Sequence, residues 1–332
     1  MLDLDLKDRK ILYQLDFDSR QSFRSIGKKV GLSKDSVLTR VKNLQEKGII
    51  VDFHTFIDTF KLGYIDVRVY LSFQNINPEI EKEIIQYFID YKNSFGVATC
   101  KEIYDLVVVI TVKNVIEFHD FWNKTLDKYQ DYIEKQILTL PVKFYAHHKT
   151  YLILDYYTKK DRDNFISIGA DKGSYSIDKL DYQILNEICM NSRANYVDLA
   201  SKLGCSSQTI DQRIKNLIKN GVIIGFGIHI NPSKIGFEHY KVDIYLKDHK
   251  KRNQIHNFIR YCPNIEYITI SPGYADIEFE IYVENSNRLI EILEDMMLKH
   301  PNVIKKYNYI SARKVYKEKF LPYMDESDFI KK

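Results

Sequence analysis

The strongest constraint on this chain is that it contains itself twice. A displacement of 173 positions lays Asp5-x-x-Asp8-x-x-Ile11-Leu12 on Asp178-x-x-Asp181-x-x-Ile184-Leu185. It also sets Ser19-Arg20 on Ser192-Arg193, Gly31 on Gly204, Ser33 on Ser206, and Arg40-Val41-Lys42-Asn43-Leu44 on Arg213-Ile214-Lys215-Asn216-Leu217. Over positions 4–64, about 19 of 61 residues are identical without a gap, and many others exchange Val, Ile and Leu. So long a period specifies two copies of one multi-part module rather than a stack of short repeats. With 45% hydrophobic and 28% charged residues, each copy can bury a core of its own. The net charge of +4 is compatible with nucleic-acid binding without demanding it.

Each copy opens with three short helices. Asp5 is an N-cap with Asp8 three residues on, and Asp178 and Asp181 repeat the arrangement. Ile11, Leu12 and Leu15 follow helical spacing. A second helix over about 23–30 ends at Gly31, and a third runs from the N-cap Ser33 to Gly48 with Val37, Val41 and Leu44 as its buried stripe. Ile210, Ile214 and Leu217 form that stripe in the second copy. Helix, tight turn and Ser-capped helix make a helix-turn-helix, and 49–57 reads as a strand leaving it.

The rest of each copy has the order βαββαβ, the split pattern of ferredoxin-like sheets. The predicted fold class is therefore α+β: two copies of a (winged) helix-turn-helix followed by a ferredoxin-like sheet domain. The expected boundaries are 1–60 and 61–155 for the first copy, a linker at 156–175, 176–233 and 234–316 for the second, and a peripheral tail at 317–332. The longest apolar run, 106–112, has strand length, so no membrane partner is expected. An acidic opening over 1–5 reads as neither a signal nor a transit peptide, and the four cysteines lack C-x-x-C spacing. Both point to a cytoplasmic protein with reduced thiols.

These motifs resemble the Lrp/AsnC family of leucine-responsive, feast/famine regulators. The family's L-D-x-x-D-x-x-I-L appears as Leu4-Asp5-Leu6-Lys7-Asp8-Arg9-Lys10-Ile11-Leu12, and its G-L-S-x-x-x-V-x-x-R-V-x-x-L run lies within Arg20 to Ile50. The second copy repeats both, with Ile177 and Cys205 as mild departures. The resemblance implies a transcriptional regulator that binds double-stranded DNA, dimerises through its sheet domain and, in many members, takes a small effector such as an amino acid. A tandem chain makes the pairing intramolecular, so an intrachain pseudo-dimer is expected. Pairing between chains, or higher homo-oligomers, is the alternative.

With the apolar stripe inward, the third helix presents Lys34, Asp35, Ser36, Thr39 and Lys42, and the second copy presents Ser207, Gln208, Thr209, Gln212 and Lys215. Residues at the start of a recognition helix reach base edges, and lysines further along suit phosphates. Arg40 and Arg213 match the family's motif arginine and are counted among the DNA contacts, with an intramolecular pair as the other reading. Because the two sets differ, an asymmetric operator is expected; a second head kept only for dimerisation is the alternative.

The resemblance also places an effector near a T-G-x-x-D turn, matched by Gly273 and Asp276; in the first copy Glu102 stands where that glycine falls. No cofactor, metal site or catalytic residue is expected. The rival reading is an enzyme resembling sirohaem decarboxylases, which share the architecture. A tetrapyrrole carboxylate pocket would need convergent Arg and His, whereas the strands offer only Arg68 and the histidines scatter along the sequence.

Overall fold

A computed structural model describes residues 4–170 and 173–329. The extremes of the expected first domain, linker and tail (1–3, 171–172 and 330–332) lie outside the described residues. The first half contains α1 (Leu6–Phe17), α2 (Phe23–Val30), α3 (Lys34–Glu46), β1 (Ile50–Asp52), β2 (Thr55–Ile57), β3 (Ile65–Phe73), α4 (Pro78–Asp90), β4 (Ser94–Cys100), β5 (Leu106–Val112), α5 (Val115–Tyr129), β6 (Ile133–Thr139) and β7 (Lys143–His147). After it come α6 (Lys159–Asp163) and β8 (Phe165–Gly169). The second half contains α7 (Lys179–Ile188), α8 (Tyr196–Leu203), α9 (Ser207–Lys219), β9 (Ile223–Phe226), β10 (His229–Ile230), β11 (Glu238–Leu246), α10 (Arg252–Tyr261), β12 (Ile265–Ile270), β13 (Ile277–Val283), α11 (Ser286–Lys299) and β14 (Ile304–Glu318).

The caps form where the sequence places them. Asp5 accepts from the Asp8 amide at 2.8 Å, Ser33 from Ser36 at 3.1 Å, and Ser206 from Thr209 at 3.1 Å. Gly31 and Gly204 end their helices at φ +70° and +67°, where a β-carbon would add strain. The stripes Val37/Val41/Leu44 and Ile210/Ile214/Leu217 are buried.

The single strand expected over 49–57 is two short strands, because the chain turns outward at Phe53 and His54 to reach the other half. There β1 pairs antiparallel with β10, and β2 with β9. The contacts are reciprocal at the repeat spacing. The Ser19 amide donates to the Phe226 carbonyl and the Ser192 amide to Phe53; the Asp58 amide donates to Val222 and the Asn231 amide to Ile49. Arg20 lies over Tyr196 and Phe226, and Arg193 over Phe23 and Phe53. At the centre, the Ser19 and Ser192 hydroxyls hydrogen-bond each other at 2.6 Å, buried.

Ten strands form one sheet in the order β6-β3-β5-β4-β14-β11-β13-β12-β7-β8. The last strand of each half crosses to the other: β14 pairs first with β11 and then with β4, while the chain of β6 continues past Pro141 as β7 on β12. Two expectations are corrected here. The segment expected as a linker carries α6 and β8, and β8 extends the sheet beside β7. The tail expected to be peripheral begins inside β14 and then buries Leu321 and Met324 in the core of the second head. Both stretches are rich in charge, which hid the short apolar residues that anchor them.

The strands alternate sharply. Val67, Val69 and Leu71 of β3, and Ile277, Phe279 and Ile281 of β13, pack under helices, as period-two patterning requires. Their other faces carry Asp66 and Arg68 on β3, Lys241 and Asp243 on β11, and Glu278 on β13, all buried. Such a face would ordinarily meet solvent; here the interior between the two halves covers it.

Candidate nucleic-acid interface and interior cavity

The recognition helices are α3 and α9. On α3, Lys34, Asp35, Thr39 and Lys42 are exposed and Ser36 is half-buried. On α9, Gln208, Gln212 and Lys215 are exposed, while Ser207 and Thr209 are half-buried. The two faces differ in how free they are. Gln212 donates to Asn216 at 3.1 Å and Lys215 pairs with Asp211 at 2.7 Å along the helix, and Thr209 meets Ser206 hydroxyl to hydroxyl at 2.9 Å.

Arg40 and Arg213 make the intramolecular pairs of the alternative reading. Arg40 pairs with Asp5 at 2.7 Å and Asp8 at 2.8 Å; Arg213 pairs with Asp178 at 2.7 Å and Asp181 at 3.0 Å. The carboxylates that cap the first helix thus also hold the recognition helix; hydrogen bonds to Asp8 and Asp5 hold the Arg40 guanidinium further on the charged side, and at Arg213 burial opposes the charge but Asp178 and Asp181 outweigh it. Lys234 was not singled out from the sequence. Its ammonium donates to the Lys47 carbonyl at 2.6 Å, so a cation from the second half caps the negative end of α3 in the first. Its counterpart Lys61, also 173 positions away, lies beside Gly221 at the end of α9.

The two residues assigned to an effector are used differently by the fold. Gly273 sits in the turn before β13 at φ +80° with open space around it. The Asp276 carboxylate accepts from the Leu246 amide at 2.7 Å and meets His249 at 3.2 Å. Asp105 takes the same place in the first half, accepting from the Phe73 amide at 2.7 Å. The aspartates are therefore strand caps. Glu102, at φ +78° where the second copy has its glycine, accepts from the Ser311 amide at 2.7 Å and fills the first turn with its own carboxylate.

Between the wing strands and the sheet lies a cavity of about 860 Å³. Three of the nine histidines, His54, His229 and His239, line it together with Arg68 of β3 and Arg313 of β14, so the expectation of scattered histidines and a lone strand arginine is corrected here. His239 meets Glu280 at 3.0 Å, and His229 meets Asp52 at 3.3 Å. Burial opposes ionisation of both carboxylates, yet the histidine hydrogen bonds and charges bring Glu280 and Asp52 down to about 2. Burial pushes the His54 imidazole below its usual value, Asp52 opposing, and His54 stacks on Phe320 with centroids 5.1 Å apart.

Lys149 is buried beside the cavity, bridging Asp16 of α1 and Glu266 of β12 at 2.8 Å each. Further in, Arg68 and Lys241 share Glu278 at 3.4 and 2.9 Å, and Lys241 also pairs with Asp243. The signal for this interior was present as Asp66-x-Arg68, Lys241-x-Asp243 and Glu278-x-Glu280, charges at strand period opposite continuous Val and Ile.

A winged helix-turn-helix DNA-binding family model matches residues 4–51 and 177–224. The transcriptional regulator AzlB of Bacillus subtilis is 36% identical over 122 residues, which cover 36% of this chain and 76% of AzlB. An uncharacterized HTH-type transcriptional regulator of Pyrococcus furiosus is 32% identical over 127 residues, 38% of this chain and 83% of that protein. Each relative thus spans about one of the two copies. Across the whole length, the crystal structure of the sirohaem decarboxylase NirDL superimposes with a TM-score of 0.64 at 12% identity, covering 97% of this chain and 96% of NirDL, a likeness of fold. No described helix is long and apolar enough to cross a membrane. With two winged helix-turn-helix matches and curated regulators aligned to its module, the chain belongs to the Lrp/AsnC family of helix-turn-helix transcriptional regulators, with the family's module present twice.

Proposed function

We propose that one chain acts as an intrachain pseudo-dimer whose two unlike heads read an asymmetric operator in double-stranded DNA. The observation that carries this reading is reciprocity: the Ser19–Ser192 hydrogen bond joins residues one repeat apart, and the strand pairs around it join wing to wing. A second subunit is then not needed to present two recognition helices. Lys34, Asp35, Ser36 and Thr39 read one half-site and Ser207, Gln208, Thr209 and Gln212 the other, with Asp35 suited to cytosine N4 and the glutamines to adenine. Lys42 and Lys215 serve phosphates.

Selection from a random duplex library with the purified chain tests this. Two dissimilar half-sites spaced by one or more helical turns, about 10 base pairs each, are expected. A palindrome, or a mass that doubles with concentration in the range where DNA binds, would overturn it. The likeness to NirDL over the whole chain and the histidine-lined cavity favour a second reading, an enzyme acting on a tetrapyrrole. Related crystals of NirDL hold an iron-uroporphyrin III analogue. The wall is mixed in charge, with Glu266, Glu280 and Asp66 standing beside Arg68, Lys149 and Arg313. A Soret band in protein as isolated would favour the enzyme.

A further inference from the structure

The cavity has a chemistry that DNA binding does not use. Its wall presents Glu266, Glu280 and Asp66, set among the rings of Tyr267 and Tyr282. The fixed buried cations of the interior are Arg68, Lys149, Arg162 and Lys241. Beside them stand the buried carboxylates Asp16, Asp66, Asp243, Glu266 and Glu278, one more than the cations. Glu280 is matched by His239, and Glu318, exposed at the rim, lies 3.7 Å from His229.

The excess has a focus. One oxygen of Glu266 is held by Lys149, while its Oε2, fully buried, has no hydrogen-bond partner among the described residues. The Tyr151 hydroxyl and the His54 Nε2, on the same wall, are likewise without one. A buried acceptor left unmatched has lost its hydration without return, so a donor that enters the cavity gains a strong contact. Carboxylates framed by aromatic faces attract cations, through both charge and the ring quadrupole. The rim carries Lys101, Arg313 and Lys314 with Glu102 and Glu238, all exposed, where water screens them.

We propose that this cavity is a binding site for a small organic cation, an ammonium or amidinium on an aromatic or aliphatic body, with the charged group directed at Glu266. The volume lies in the range of small-molecule sites, roughly 300–1,000 Å³. The same cavity is lined by Val51, His54 and Phe56 of the first wing and by Ile228, His229 and Ile230 of the second. An occupant therefore touches both wings and the sheet, and its affinity depends on how the heads are held.

The test is calorimetric titration of the full chain with tryptamine and with indole-3-acetate, a matched pair of opposite charge, and with spermidine as an aliphatic cation. At least one cation should bind at least tenfold more tightly than indole-3-acetate. Glu280→Gln and Glu266→Gln should each weaken that cation tenfold or more, with far-ultraviolet circular dichroism reporting that each variant is folded. Glu280→Gln leaves the Lys149 pairs intact and covers the case in which Glu266→Gln fails to fold. Equal affinity for tryptamine and indole-3-acetate, tighter binding of the anion, or no binding of either cation below millimolar concentration would overturn the proposal. Tight binding of iron uroporphyrin in place of the cations would overturn it too. The readout is independent of DNA, so loss of the operator reading leaves this result standing.

Discussion

The two heads share a fold and differ in what holds them down. Two residues past the end of β7 stands Lys149; two past the end of β14 stands Phe320. Asp16, which Lys149 grips from α1, corresponds to Cys189 one repeat on. The first head is thus fastened by the apolar Tyr151, Leu152 and Ile153 together with a buried ion triad, Asp16–Lys149–Glu266, and the second by Leu321 and Met324 packed with Cys189, Ile184 and Leu185. Duplication preserved the architecture while the fastening chemistry diverged. An apolar fastening weakens in proportion to the area removed, whereas an ionic one fails as a unit, because each member left alone is an uncompensated buried charge.

The largest effect should therefore come from Lys149→Met. It strands two carboxylates and should cost about 3–5 kcal/mol in urea unfolding, with hydrogen exchange accelerated in α1–α3 more than in α7–α9. Replacing Asp16, Lys149 and Glu266 together with apolar residues should recover most of that loss; a triple variant as unstable as the single would show that the triad is not a unit. The pH dependence follows. Burial works against the charged form of Asp16, but Lys149 and His148 hold its pKa well below the ordinary 3.8. A depressed carboxylate stabilises the fold above its ordinary pKa and loses that contribution as pH falls through the folded value. Exchange in the first head should accordingly rise ahead of that in the second as pH drops below 3.8.

Leu321→Ala is the matching cut in the second head and should cost about 2–3 kcal/mol, with exchange rising in α7–α9. If it loosened both heads equally, the two fastenings would not be separate. A smaller effect separates the recognition helices. Gln212→Ala should cost about 1–3 kcal/mol at one half-site and Asp35→Ala a similar amount at the other, each leaving the opposite half-site preference unchanged in competition binding. A change at both half-sites from either substitution would remove the case for an asymmetric operator.

The sequence carried the local part of this structure well and the long-range part poorly. Asp5, Ser33, Gly31 and the Val37 stripe act within a few residues of themselves, so caps and helices follow from spacing alone. The repeat even placed Ser19 over Ser192, although their hydrogen bond is a fact of the pairing. The strand exchange was hidden because β14 reads as an ordinary last strand until its partners are known. The same holds for Lys149, a lone lysine among aromatic and aliphatic residues whose burial depends on Asp16 and Glu266, 133 residues before it and 117 after it. Arg40 shows the limit from the other side: a motif arginine on an exposed helix reads equally as a phosphate contact or an internal anchor, and only the positions of Asp5 and Asp8 decide.

The smallest effect tests whether the heads also differ in electrostatics. Positions 1–55 hold about eleven Lys and Arg against eight Asp and Glu, and 174–230 about six against five. Lys42 is exposed on α3, whereas Lys215 at the same place on α9 is already paired with Asp211. An exposed i,i+4 pair is weak, yet its carboxylate stays near any phosphate the lysine meets. Counterion release scales with the phosphates neutralised, so Lys42→Ala should lower the slope of log K against log salt by about one. Lys215→Ala should lower it by less, since Asp211 then loses its partner and repels the backbone whether or not the lysine had contributed. Equal losses from the two substitutions would mean that Asp211 swings clear on binding and that the heads grip phosphate alike, leaving base contacts as the whole of their difference.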